Sequence, residues 1–301
     1  MRRKLNEDIE VFYEFWEAKK EAKGVVLLVH GMAEHILRYQ NFANYLNDSG
    51  YHVYGYDQRG HGQTAGALEE VGFFAEKDGW NKVVADVKSM IGFVKGNHEL
   101  PVILMGHSMG SFISRDFTSQ YSHMIDGLIL SGTGYKSGLQ GQFMIGYGQL
   151  EVALRGPRHK SKTIDKITGN VFNSKLKPLR TPFDWLSRDP KEVDKYINDP
   201  YCGTVFTSSF YVSLFSAVER VNKLEQVSKF RKDLPIYIFS GDKDPVGNHG
   251  TGVKSVYGLM KSAKLSNVSM KLYPEGRHEM LNETNKTEVY NDVHDWLSKT
   301  I

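Results

Sequence analysis

The sequence predicts an α/β fold in which a mostly parallel central sheet is flanked by helices on both faces. Three observations lead to this prediction. Short, continuously apolar runs end at a glycine, as the run from Gly24 to Gly31 does, which is typical of strands buried on both faces of a sheet. These runs alternate with segments that carry apolar residues at helical spacing. Such alternation implies right-handed crossovers between parallel strands.

The first third of the chain begins this alternation. In chain order we predict an edge strand over residues 9–16, a buried strand over 24–31, a helix over 38–48, a strand over 51–56 and a helix over 80–94. The edge strand is predicted from its loose alternation of polar and apolar residues. The last helix is predicted from a stripe of apolar residues at helical spacing, which are Val83, Val84, Val87, Met90 and Ile91.

The alternation continues, breaks, and then resumes. A strand over residues 102–105 leads into a helix, and a further strand covers residues 125–131. No strand of the sheet is expected between residues 135 and 203. The pattern resumes with strands over 234–240 and 268–273 and helices near 250–263 and 286–297. At 301 residues, the simplest organisation is one α/β core made from residues 1–134 and 206–301, with residues 135–205 inserted as a helical cap.

Composition excludes several classes of protein. The net charge of +3, from 38 basic and 35 acidic residues, is too balanced to suggest a nucleic-acid partner. Cys202 is the only cysteine, so neither an internal disulfide nor a two-cysteine metal or redox motif is possible. The basic residues at the N-terminus are not followed by the apolar stretch of a secretory signal. No apolar run approaches the ~18 residues of a membrane span. We therefore expect a soluble, cytoplasmic protein.

The junction after residue 105 carries the clearest chemical signal. Ser108 stands between Gly106 and Gly110 in a G-x-S-x-G pattern that follows a strand and precedes a helix. This pattern is that of a nucleophile elbow, in which a sharp turn exposes the serine hydroxyl at the end of the sheet. The glycines leave room for the crossing backbone. A simple Gly-Ser turn is the alternative, because short glycine patterns recur by chance in a chain with 29 glycines.

A nucleophilic serine needs a base and an acid that orients the base. In α/β-hydrolases these follow in the order serine, acid, histidine, each just after a strand. The strand over 234–240 is followed by Asp242 and Asp244, and the strand over 268–273 by His278. We predict Asp244 as the acid because the proline after it favours an extended backbone, with Asp242 as the alternative. A zinc motif beginning at His278 is excluded because Asn282 stands where the second histidine would be needed.

The developing oxyanion needs two backbone donors. We predict the Met109 amide, at the start of the helix after Ser108, and the Met32 amide, in the loop after the strand over 24–31. Glu34 and Arg38, four residues apart behind that loop, have two interpretations. They form an ion pair within a helix, or they face the cleft and bind a polar group of the substrate.

Five motifs in register resemble the monoacylglycerol lipase and lysophospholipase branch of α/β-hydrolases, the serine aminopeptidase S33 type. They are HGMAEH (30–35), DQRGHG (57–62), GHSMG (106–110), GDKD (241–244) and RHEM (277–280). The resemblance spans essentially the whole chain. It implies an α/β-hydrolase fold with a mobile cap and hydrolysis of a carboxylic ester in a monoacylated lipid, without a cofactor. One position departs from the pattern, because mammalian monoacylglycerol lipases have a second histidine where this sequence has Leu281.

Within this interpretation Ser108 attacks the ester, His278 takes its proton and Asp244 orients the imidazole. Other reactions use the same triad, so an acyltransferase, a thioesterase and a peptidase stay open, as does a non-catalytic ligand-binding protein. The loop at Gly31 lacks the His-Gly-Gly-Pro pattern that would suggest an iminopeptidase.

The predicted cap combines apolar and basic residues. Between residues 151 and 191 it carries ten Lys or Arg against four Asp or Glu. We expect its apolar residues to face inward and form an acyl tunnel; these are Phe143, Met144, Ile145, Leu150, Val152 and Leu154. The basic residues either form a solvated outer face or draw the enzyme transiently to an anionic membrane surface. The sequence predicts no oligomeric state.

Overall fold

A central sheet organises the computed structural model, which describes residues 1–6, 9–136 and 138–301. Ser137, which belongs to the predicted cap, lies outside the described residues. The strands are β1 (Arg2–Asn6), β2 (Ile9–Trp16), β3 (Gly24–Val29), β4 (Tyr51–Tyr56), β5 (Val102–His107), β6 (Gly127–Ser131), β7 (Ile236–Gly241) and β8 (Val268–Tyr273). Apart from β1, each matches a predicted strand to within a few residues at its ends.

The strands lie side by side in the order β1-β2-β4-β3-β5-β6-β7-β8. All neighbours from β4 to β8 are parallel, whereas β1 with β2 and β2 with β4 are antiparallel. The register pairs Val29 of β3 with Gly106 of β5, and His107 with Ser131 of β6. The loops that follow β3, β5, β7 and β8 therefore meet at one edge of the sheet, where ligands bind in open α/β sheets.

The prediction that residues 9–16 form the edge of the sheet is wrong. They pair on one side with β4 and on the other with Arg2–Asn6, which is the true edge strand. The sequence of β1, RRKLN, is mostly charged and lacks alternating apolar residues. Its strand conformation therefore depends on backbone pairing with β2, which a search for hydrophobic periodicity does not detect.

The helices fill both faces of the sheet. They are α1 (Gln40–Asp48), α2 (Gly79–Asn97), α3 (Met109–Tyr121), α4 (Gly138–Arg155), α5 (Lys162–Asn173), α6 (Pro190–Asn198), α7 (Ser208–Val221), α8 (Leu224–Ser228), α9 (Thr251–Ser262) and α10 (Lys286–Thr300). Alternate residues of a strand point to opposite faces, so Val25 and Leu27 of β3 join one core layer while Val26 and Leu28 join the other. The sequence analysis did not identify α7 or α8.

The helices α4 to α8 lie between β6 and β7; α4, α5 and α6 fall within residues 135–205, and α4 packs against α7. The prediction that the apolar residues of α4 all face inward is wrong. Met144 is buried, but Phe143, Leu150 and Leu154 are 60%, 54% and 74% exposed. The helix has only one face against α7, so apolar residues on its opposite face remain in solvent. Among the described residues no helix is both long and apolar enough to cross a bilayer.

Two glycines make the turn from β5 into α3 possible. A Cβ on Gly110 would collide with the backbone carbonyl oxygens of Val29 and His30 at the end of β3. A Cβ on Gly106 would collide with the carbonyl of Gly110. The helix therefore approaches two strands more closely than any side chain would allow.

We predict that Gly110→Ala destabilises the protein by about 2 kcal/mol, because a methyl group forces two backbone segments apart. Chemical denaturation of the purified variant measures the change. Gly92→Ala is the matched control: Gly92 lies within α2, and a Cβ there would meet no atom within 4 Å. The control should be stabilised by a few tenths of a kcal/mol, up to about 1. Equal stability of the two variants would contradict the close packing described here.

Candidate active site

Ser108 occupies the turn between β5 and α3 in a strained conformation, with φ 51° and ψ −119°. Non-glycine residues rarely have positive φ, and the strain is of the kind found at functional sites. The Ser108 amide donates to the Ser131 carbonyl over 2.9 Å, and the Ser108 carbonyl accepts from both the amide and the hydroxyl of Ser111. These bonds hold the turn, and the side chain faces a cavity.

His278 and Asp244 form a buried pair at the same edge of the sheet. His278 Nδ1 lies 3.0 Å from Asp244 Oδ1, and the exposed fractions of the two residues are 2% and 0%. The Ser240 hydroxyl donates to Asp244 Oδ2 over 2.7 Å, and the Val246 amide donates to Oδ1 over 2.9 Å. With its proton on Nδ1 and donated to Asp244, the imidazole presents Nε2 as a proton acceptor.

Pairing raises the pKa of His278 and lowers the pKa of Asp244. Burial alone would lower the pKa of His278, but the adjacent carboxylate of Asp244 outweighs this and holds it above its ordinary value. Burial alone would raise the pKa of Asp244, but His278 and the bonds from Ser240 and Val246 keep it below its ordinary value. The pair therefore favours a charged carboxylate beside a basic imidazole.

The alternative acid, Asp242, lies elsewhere. Its Oδ1 accepts the Glu275 amide over 2.8 Å, and the same oxygen is 3.8 Å from Lys243 Nζ. It therefore stabilises an exposed turn, and Asp244 alone of the two contacts His278.

Both predicted oxyanion residues line the cavity with Ser108. Met109 directly follows it, and Met32 follows Gly31, whose Cβ, if present, would lie 3.1 Å from the Ser108 Cβ. A distance this short is tighter than almost all real Cβ contacts, so the loop after β3 runs very close to the nucleophile candidate. Met32 and Met109 therefore both lie near Ser108 in the cavity wall, and their role as oxyanion donors stays a prediction.

The interpretation of Glu34 and Arg38 as substrate-binding residues is not supported by their contacts. Arg38 donates to Glu34 Oε2 over 2.9 Å and to both oxygens of Glu279 over 2.6 and 2.7 Å. Glu34 Oε1 also accepts from the Gly31 amide and from the Tyr39 hydroxyl. These polar groups are therefore satisfied within the protein. The alternative, an ion pair between Glu34 and Arg38, is present in the structure. Arg38 forms its shorter bonds, however, with Glu279, which lies 241 positions away in the chain.

Trp185 and Glu279 are parts of the site that the sequence analysis missed. The Trp185 ring lies 5.0 Å from the His278 ring, centroid to centroid, and its carbonyl accepts the His278 amide. The next carbonyl, of Leu186, accepts the Glu279 amide over 2.7 Å. Glu279 directly follows His278, which was a signal in the sequence. No sequence signal pointed to Trp185, because it lies almost a hundred residues before His278 in the chain.

The cavity has a volume of about 730 Å³ and contains Ser108 and His278 in its wall. Its apolar lining comes from α3, α4, α7 and the segment before α6, and includes Phe112, Met144, Trp185, Leu186, Leu214 and Val218. A cavity of this size and lining accommodates a ligand with a long apolar part.

One group of side chains in the described part of the chain brings three metal-binding types together, namely His35, Asp199 and Cys202. His35 Nε2 is already 2.8 Å from Asp199 Oδ2. Burial raises the pKa of the Cys202 thiol, which disfavours the thiolate that a metal would need. The arrangement is therefore explained by a His–Asp hydrogen bond beside a buried thiol.

The strand order and the turn at Ser108 define the protein as an α/β-hydrolase. Within that class the chain belongs to the serine aminopeptidase S33 family, whose model matches residues 20–285. The predicted fold and the predicted branch of hydrolases are thereby confirmed.

Similar proteins cover nearly the whole chain. A monoacylglycerol lipase from Mycolicibacterium smegmatis is 27% identical over 293 residues, covering 96% of this chain and 93% of that protein. Human monoglyceride lipase is 26% identical over 296 residues, covering 96% and 87%. The crystal structure of a thermostable carboxyl esterase from Bacillus coagulans, in complex with glycerol, has a TM-score of 0.93 and 25% identity, covering 100% of this chain and 97% of that one.

Proposed function

We propose that the protein is a serine carboxylester hydrolase acting on monoacylated lipids. The observation that carries the proposal is an elbow serine, Ser108, which lines the same cavity as His278, the partner of the buried Asp244. The similarity to proteins named monoacylglycerol lipase and carboxyl esterase supports an ester as the substrate.

In the first half-reaction the Ser108 hydroxyl oxygen bonds to the ester carbonyl carbon, and His278 Nε2 takes the hydroxyl proton. Asp244 stabilises the imidazolium that forms. The oxyanion accepts hydrogen bonds from the Met32 and Met109 amides. His278 returns the proton to the departing alcohol oxygen as the carbon–oxygen bond breaks, which leaves an acyl group on Ser108.

Water completes the reaction. It attacks the acyl carbon while His278 accepts one of its protons, and the same two amides bind the second oxyanion. When the bond to Ser108 breaks, the serine oxygen recovers its proton from His278 and the free acid leaves. Every proton moves between groups of this chain, the ester and water, so the proposed mechanism uses no cofactor.

We propose that residues 135–205 act as a cap over a core of residues 1–134 and 206–301. The segment supplies Met144, Trp185 and Leu186 to the cavity wall opposite Ser108. An apolar wall of this kind suits an acyl chain, and its burial there would contribute about 0.8 kcal/mol per methylene.

The outer face of α4 supports a further part of the proposal, transient contact with a membrane surface. Leu139, Phe143, Leu150 and Leu154 follow one another along this face and are 54–85% exposed. Apolar side chains presented together on one helix face can insert shallowly into a lipid interface. The basic residues of the segment contribute less than their number suggests, because Arg158, Arg180 and Arg188 already pair with acids of this chain.

We predict that Ser108→Ala lowers kcat on monoacylglycerols and p-nitrophenyl esters by about 10⁴-fold or more. Asp244→Asn should lower it by about 10⁴-fold, since the imidazole loses its orienting acceptor. Asp242→Asn is the matched control and should stay near the wild-type rate. A panel of esters of varied chain length, with a thioester and an aminoacyl anilide, measures these rates. Normal turnover by the Ser108 variant would refute the mechanism, and a reversed order of the aspartate variants would refute the choice of acid.

We predict that kcat/KM rises with pH through a single ionisation whose midpoint lies above about 6.5, the ordinary pKa of histidine. His278 must be neutral to accept the serine proton, and Asp244 raises its pKa. Below the midpoint the rate should fall about tenfold per pH unit. Rates measured from pH 5 to 9 on an uncharged soluble ester provide the test. A flat profile would exclude a histidine base.

We predict that the double variant Phe143→Ser/Leu154→Ser loses about tenfold of its activity on monoacylglycerol in anionic vesicles, because apolar contact with the interface is lost. Its activity on a soluble butyrate ester should be unchanged. Leu68→Ser/Leu224→Ser, which removes two exposed leucines outside this face, is the control. Equal effects of the two double variants, or an equal loss on both substrates, would argue against a docking face on α4.

A further inference from the structure

A buried cluster of charges joins the two loops that carry the reaction, and the mechanism above does not use it. Arg38 lies between Glu34 and Glu279, with nitrogen–oxygen distances of 2.6 to 2.9 Å. The side chains of all three are at most 10% exposed. Two carboxylates and one guanidinium leave a net charge of −1 in the interior, where such a charge acts over several ångströms with little screening.

Each end of the cluster touches one loop. Glu34 Oε1 accepts the Gly31 amide over 2.6 Å, directly before Met32 of the oxyanion pair. Glu279 directly follows His278, and its Oε2 accepts an additional bond from the Asn282 amide group over 3.0 Å. Glu34 and Glu279 both contribute to the cavity wall, whereas Arg38 lies behind them. Arg38 therefore connects the loop after β3, which contains Gly31 and Met32 (the oxyanion loop), to the loop after β8, which contains His278 (the histidine loop).

The charged groups that face His278 determine whether its imidazolium form is stabilised or destabilised. The groups that face the imidazole are Asp244, His107, Glu34 and Glu279. Burial lowers the pKa of His107 to about 4, so this neighbour is neutral at working pH. The groups around Glu279 are Arg38, His107, Tyr39, Tyr196 and Cys202. Arg38 holds the pKa of Glu279 at about 2 against the effect of its burial. Glu279 is therefore negative throughout the working range.

We propose that Glu279 is a positioning residue that stabilises the imidazolium form of His278 by its charge and, through Arg38 and Glu34, holds the Gly31–Met32 segment beside Ser108. The proposal rests on the function proposed above, because it assigns a role within the same site. A purely structural ion pair would contribute to stability without affecting the basicity of His278. The two roles therefore differ in the pH dependence of the reaction.

The experiment compares Glu279→Gln, Glu279→Asp and the control Glu275→Gln. The first removes the charge and keeps an acceptor for Arg38, and the second keeps the charge. The control removes an acid from the same loop whose side chain is 67% exposed and pairs with Lys243. The measurements are kcat/KM for a neutral soluble ester from pH 5 to 9, the rate of Ser108 labelling by an uncharged fluorophosphonate over the same range, and the melting temperature.

Glu279→Gln should move the acid limb of both profiles to lower pH, since the imidazolium loses a stabilising charge. One pH unit below the wild-type midpoint, the variant should keep about threefold more of its plateau rate than the wild type keeps. Its plateau should fall because the base is weaker and the oxyanion loop is less firmly held. Glu279→Asp should keep the wild-type midpoint, and Glu275→Gln should match the wild type in midpoint and plateau.

An unmoved midpoint in Glu279→Gln, with or without a lower melting temperature, would overturn the proposal and leave a structural ion pair. So would an equal shift in Glu275→Gln. If Glu279→Gln does not fold, Glu279→Asp provides the test. This variant keeps the negative charge, so a shifted midpoint in it would also overturn the proposal. The function proposed above fails in a different way, through a wild-type protein that neither hydrolyses esters nor is labelled at Ser108.

Discussion

The rest of the site depends on how closely the turn at Ser108 approaches the end of β3. Gly110 packs against the carbonyl oxygens of Val29 and His30 at a distance that excludes any Cβ. This contact fixes the position of the nucleophile candidate relative to the loop that follows β3. Gly31 also runs close beside Ser108, and the next residue, Met32, lines the same cavity as Met109. One steric constraint thus assembles the serine and both candidate oxyanion donors.

The buried carboxylates near this turn have hydrogen-bond partners that stabilise their charge. Asp244 is buried but accepts hydrogen bonds from Ser240, Val246 and His278, which together maintain its negative charge. Arg38 likewise lowers the pKa of the buried Glu279. A buried charge without such partners would neutralise. Asp244 and Glu279 therefore keep their negative charge beside His278.

The segment between β6 and β7 is part of the site, because its residues line the cavity and bond to the loop that carries His278. The carbonyls of Trp185 and Leu186 accept the amides of His278 and Glu279, and the indole lies against the imidazole. Arg188 adds an ion pair with Glu283 farther along the same loop. Movement of this segment would consequently disturb the histidine loop. The same segment thus lines the cavity and helps to hold His278 in place.

The sequence by itself determined the α/β alternation, the turn at Ser108 and the order of Asp244 and His278 after their strands. Each of these follows from local properties, namely the hydrophobic period, glycine at a close approach and position at a strand end. Only the tertiary structure decided that Arg38 pairs with Glu279, 241 residues away, and that the apolar residues of α4 divide between cavity and solvent. A helix can present one apolar stripe to its neighbour, and a guanidinium binds whichever carboxylates the packed chain brings within reach. Both outcomes depend on neighbours distant in sequence, about which a local pattern contains no information.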